Sequence, residues 1–125
     1  MLGKATLVAF VPTTNPQKAR AFYENTLGLR FVGGDKFATV FDSNGVTIRI
    51  ANVTGAPYEP AAFTILGWTV PDVAKAMAGL AKKGVTFERY EGMGQDELGV
   101  WTSPSGAKIG WFKDPDGNVL SVTEH

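Results

Sequence analysis

Apolar and polar positions change rhythm twice along the chain, in the same order each time. ATLVAFV (5–11) is a continuous apolar run of strand length, which Pro12 is expected to stop. NPQKARAFYENTLG (15–28) switches to helical spacing. Ala19, Phe22, Tyr23 and Leu27 form one stripe, Asn15 suits the cap, Pro16 the first turn and Gly28 the end. LRFV (29–32) and FATVF (37–41) read as short strands around Gly33-Gly34-Asp35, and SNG (43–45) turns the chain into VTIRIANV (46–53). TGAPYEPA (54–61) is a linker by composition. The rhythm then restarts with FTILGWTV (63–70) and the helix PDVAKAMAGLAKKG (71–84), where Val73, Ala76, Met77, Leu80 and Ala81 line one face. VTFERY (85–90) reads as a strand, EGMGQDELG (91–99) as a polar loop, VWT (100–102) as a strand. AKIGWFK and NVLSV form a hairpin about Asp114-Pro115-Asp116-Gly117.

Strand–helix–strand–strand–strand thus occurs twice. Val11-Pro12 echoes Val70-Pro71, and Ile48-Arg49-Ile50 echoes Leu120-Ser121-Val122. The expected division is one domain made of module one (about 1–53), the linker (54–61) and module two (about 62–125). Halves of this size cannot cover a sheet face alone and should pair.

Lysine plus arginine number 12 and aspartate plus glutamate 12, so the formal net charge is zero and nothing argues for nucleic acid or an anionic membrane. No apolar run is long enough to cross a bilayer. With no cysteine there are no disulfides and no thiolate chemistry, and the cytoplasm is the expected compartment. Gly92-Met93-Gly94 is too short for a dinucleotide loop. The serines lack a histidine base, the one histidine being His125 at the end of the chain.

Ala21-Phe22-Tyr23 with Leu27-Gly28-Leu29, the VPDV…GV segment (70–85) and WFKDPDGNVLSV (111–122) resemble the vicinal oxygen chelate superfamily. That superfamily includes glyoxalase I, extradiol dioxygenases and bleomycin-resistance proteins. The resemblance implies an α+β fold of two βαβββ modules forming a curved mixed sheet around a cavity, helices on the convex face, and commonly a homodimer. It also implies four metal ligands on strands. Carried onto this chain they fall at Thr6 (Val8 is the alternative), Arg49, Ile65 and Ser121.

Those residues do not form a cation site. Isoleucine has no donor, a guanidinium repels a cation, and two hydroxyls are weak substitutes for imidazole and carboxylate. The expectation is therefore no metal and no cofactor. What remains is a metal-free protein that binds a small, partly apolar molecule, anionic if Arg49 meets it, in the sheet cavity. Alternation places Thr6, Val8, Phe10, Arg49, Phe63, Ile65 and Ser121 on the lining, with Trp101 as a wall. The faces of Trp101 and Trp111 stay open, and Trp68 should meet the helices. The alternative is a lyase or dioxygenase-type enzyme with relocated metal ligands or metal-free acid–base chemistry, drawing on Glu88, Tyr90, Glu91, Asp96 or Glu97. A third reading has the cup filled by the protein's own aromatic side chains.

Overall fold

Each half of the chain buries one face of a four-stranded sheet beneath one helix, an α+β architecture. The computed structural model describes residues 1–125, which divide into two compact units, Met1–Glu59 and Pro60–His125. The first holds β1 (Val8–Thr13), α1 (Pro16–Ala21), β2 (Arg30–Gly34), β3 (Ala38–Ser43) and β4 (Val46–Asn52). Its sheet order is β1-β4-β3-β2, with β1 parallel to β4 and the other pairs antiparallel. The second holds β5 (Thr64–Thr69), α2 (Val73–Lys82), β6 (Trp101–Thr102), β7 (Lys108–Lys113) and β8 (Val119–Glu124), ordered β5-β8-β7-β6 with β5 parallel to β8. No helix is long and apolar enough to cross a membrane.

In the first unit, Val11, Ile48, Ile50 and Phe41 are buried with Ala19 and Tyr23 of the helical segment. The Asn15 side chain caps α1 by accepting from the Lys18 amide at 3.2 Å. The expected helix does not run through to Gly28 as an α-helix. It loosens into a π-helical turn over Phe22–Thr26, closed by the Leu27 amide on the Phe22 carbonyl. The wide turn accompanies complete burial of the Tyr23 ring, edge-on to Phe22 at 5.3 Å and 6.1 Å from Phe41. Pro12 does not stop β1, which runs on to Thr13. A proline costs little there because β1 is the edge of its sheet and need bond on one side only. At the β2–β3 connection a Cβ on Gly34 would lie 2.7 Å from the Ala38 carbonyl oxygen, so the close backbone approach requires glycine.

In the second unit, Leu120, Val122 and Phe112 are buried with Val73 and Met77 of α2. A Cβ at Gly110 would meet the Met77 sulfur at 2.6 Å, so this glycine seats the helix on the sheet. Two carboxylates satisfy the helix start. Asp72 accepts from the Lys75 amide at 3.0 Å, and Glu124, at the end of β8, accepts from the Val73 amide at 2.9 Å. VTFERY is not a strand. Its pairing with the sheet is a single bridge, Phe87 to Phe112, carried by the Glu88 amide on the Trp111 carbonyl at 2.8 Å.

The Asp-Pro-Asp-Gly turn between β7 and β8 is held by Asp114, which is buried. One carboxylate oxygen accepts from the Asp116 and Asn118 amides, both at 2.9 Å, and the other from the Asn118 side-chain amide at 2.8 Å. Asp114→Ala strands these donors and should lower the unfolding free energy by about 3 kcal/mol, read from urea titration. Asp35 does similar work in the open at the β2–β3 turn. Bonds from the Phe37 and Ala38 amides hold its carboxyl below the ordinary 3.8. A depressed carboxyl contributes stability above its unfolded pKa and loses it as pH falls through the folded one. Carboxyl carbon shifts in NMR should therefore place the Asp35 midpoint below 3.8, and Asp35→Asn should flatten the stability profile there.

Candidate functional site: the open sheet faces

With one helix on one side, each sheet leaves its other face uncovered in its own unit, and strand register fixes what lies there. In the first unit Arg49 on β4 sits between Phe10 on β1 and Val40 on β3, and Val8 pairs with Thr47 one rung away. Ile48 and Ile50 point to the helix side and are buried, as alternation predicts. Arg49 is on a central strand, not at a sheet edge. It has no salt-bridge or hydrogen-bond partner, and the nearest acidic influence is on Asp35, whose carboxyl Arg49 helps to lower behind the two amide bonds. Arg49 is half-buried, and its neighbour Phe10 is 66% exposed, so it borders an apolar, uncovered surface. Thr6 lies outside β1 in an exposed stretch of chain.

In the second unit the register assigns both tryptophans whose orientation alternation left open. Trp111 pairs with Ser121, and Trp101 pairs with Ile109, which pairs with Thr123; all lie on the face away from α2. Trp68 pairs with buried Val122 on the helix side. The Trp111 indole N–H donates to Thr64 Oγ1 at 3.0 Å. Because β8 lies between β7 and β5, the indole must cross β8 to reach it, and Val119 and Ser121 of β8 are buried. Trp101 lies beside it at 6.0 Å with a 35° tilt, and Tyr90 stands edge-on at 5.6 Å. Burial, and then the charge of Glu88, push the Tyr90 phenol above its ordinary 10.0 while Lys113 opposes, so it stays protonated at neutral pH.

Ile65 falls where β5 shifts register, between Thr64 and Leu66, so strict alternation along 63–69 fails. Thr64, not named from sequence, reaches Trp111 because of that shift. Phe63 precedes β5 and is 70% exposed. Thr64 carried no usable signal, since the bulge is invisible to a period-two reading. Tyr90 is named from sequence only as an acid–base candidate; its edge-on contact with Trp111 is not legible while VTFERY reads as a strand.

The donors for a metal are not assembled. Among all 125 residues no three His, Cys, Asp or Glu side chains gather where they could hold an ion. Two of the acid–base candidates, Glu88 and Asp96, have carboxylates engaged in structure. Glu88 pairs with Lys113 at 3.5 Å. One Asp96 carboxylate oxygen accepts from the Leu98 and Val100 amides, both at 2.9 Å. Arg89 donates to the Asp96 carbonyl at 2.7 Å, and Gln95 ties Tyr90, Glu88 and Gly99 together. The 91–99 segment is thus a braced loop, most of it exposed to solvent.

A family model described as the Glyoxalase/Bleomycin resistance protein/Dioxygenase superfamily matches residues 6–122. Among solved structures, a member of that superfamily from Sphaerobacter thermophilus is similar with a TM-score of 0.77 at 22% identity, over 100% of both chains. Lactoylglutathione lyase from Agrobacterium tumefaciens is similar with a TM-score of 0.73 at 17% identity, over 97% of this chain and 93% of that one. A search of curated proteins gave no match.

The pinning of Trp111 can be tested directly. Thr64→Val removes the acceptor. The Trp111 indole proton should then exchange faster with solvent in NMR, and the unfolding free energy should fall by about 1 kcal/mol.

Proposed function

The chain belongs to the Glyoxalase/Bleomycin resistance protein/Dioxygenase superfamily, and from that premise we propose that it is a metal-free small-molecule-binding protein whose ligand rests on the open sheet faces. One observation carries the reading. The positions to which the resemblance assigns metal ligands hold Thr6 or Val8, Arg49, Ile65 and Ser121, and no other cluster of donors replaces them. Isomerisation and ring opening of the metal-dependent kind need a cation to polarise a bound oxygen, and this donor set repels one at Arg49.

What those faces offer is apolar and aromatic surface with a few hydroxyls and one unpaired guanidinium. That suits a partly apolar ligand, with an anionic group where it meets Arg49. Arg49, Phe10 and Val8 serve it in the first unit and Trp101, Ser121, Ile65 and Phe63 in the second, with Thr6 at the margin. The exposed apolar side chains Leu7, Phe10 and Phe63 favour a homodimer in solution, and a cytoplasmic setting accompanies the proposal.

Tag-free protein should contain far less than one equivalent of zinc, nickel, manganese or iron by elemental analysis. It should also leave the methylglyoxal–glutathione adduct unchanged. A thermal-shift screen should find ligands that raise the melting temperature, since a hundredfold excess over Kd adds about 2.7 kcal/mol. Stoichiometric metal would turn the assignment to an enzyme. A screen without any stabilising compound would leave the aromatic side chains as the only occupants of the face they cover.

A further inference from the structure

Building on the binding reading, we propose that the second unit carries a subsite of its own for a neutral planar ring with a carbonyl or lactam edge, held by Trp111, Trp101 and Ser121. Three observations converge on it. The first is a rigid aromatic surface. Trp111 is pinned across β8 by Thr64 and supported by Trp101 at 6.0 Å and Tyr90 at 5.6 Å, yet both indoles are only half-buried. A surface already fixed in place loses little freedom when a flat ring lies against it.

The second is a hydroxyl with bonding capacity to spare. Ser121 is 7% exposed and its Oγ has no partner within the chain; since no fully buried polar side-chain atom lacks one, that oxygen is within reach of solvent. It lies beside Gly67, which is exposed. A Cβ at residue 67 would sit 2.5 Å from Ser121 Oγ, and the three heavy atoms nearest that point all belong to Ser121. The Ser121 side chain takes the space a Cβ at residue 67 would need, so its hydroxyl lies along the bare Gly67 backbone, with Trp111 paired on its other side. There it can meet the edge of a ring carrying a carbonyl or an amide N–H, since a hydroxyl can donate to one and accept from the other.

The third is charge. The only charged strand residue on this face, Lys113, is paired with Glu88 at 3.5 Å. Thr69 and Thr123, one rung on from Gly67 and Ser121, add hydroxyls but no charge. A neutral polar edge is therefore favoured over an ion.

The test uses the full chain and two probes, 2-quinolinone and naphthalene, followed by NMR of the three indole N–H signals. The lactam should shift the Trp101 and Trp111 signals in a saturable way and leave Trp68, on the helix side, in place. It should also bind more tightly than naphthalene. Ser121→Ala should weaken the lactam about fivefold and leave naphthalene unchanged, and Trp101→Leu should weaken both probes alike. Lactam binding that bypasses the Trp101 and Trp111 signals, or that is indifferent to Ser121→Ala, overturns the subsite. If neither probe binds while other compounds stabilise the protein thermally, the subsite is wrong and the binding reading stands. If nothing stabilises it, both fall.

Discussion

A four-stranded sheet has two faces, and each unit of this chain has one short helix with which to cover them. That constraint shapes the rest. Tyr23 and Ala19 in one unit, Val73 and Met77 in the other, bury the faces bearing Ile48, Ile50, Leu120 and Val122. The opposite faces are left to whatever their own side chains can do. In the first unit they do little, and Phe10 stands exposed beside a half-buried Arg49. In the second, Trp111 swings across β8 to Thr64 and covers part of the sheet itself. The two faces therefore differ in chemistry although the units share a plan.

The architecture was legible because it rests on local, strongly patterned signals. The apolar runs, the Asn15 and Asp72 caps and the Asp-Pro-Asp-Gly turn each dictate structure within a few residues, and the superfamily resemblance followed from those same words. Errors arose where neighbours overrule local preference. Pro12 reads as a stop only if its strand is assumed to be central. VTFERY has the composition of a strand, but it pairs with β7 only at the Phe87–Phe112 bridge, through the Glu88 amide on the Trp111 carbonyl. The π-helical turn at Phe22, which accompanies the burial of Tyr23, leaves no trace in a 3.6-residue stripe.

The candidate site was half legible. Alternation placed Val8, Phe10 and Arg49 together because β1 and β4 are regular. It failed along β5, where one inserted residue at Ile65 changes the phase, so Thr64 went unnoticed and Phe63 lies before the strand. The orientation of Trp101 and Trp111 needed the register of β6 and β7, which no single strand encodes. Ser121 is the instructive position. As a missing ligand it argues against a cation; beside Gly67 it is a hydroxyl lying against bare backbone.

Pro12 has a consequence beyond letting β1 continue. A strand arriving along the outer edge of β1 would find one amide donor missing from the row it needs to zip against. Fibril-like growth depends on an unbroken series of such donors, repeated from copy to copy. In a chain that leaves Leu7 and Phe10 uncovered next to that edge, a single imino acid acts as a guard against self-templated aggregation.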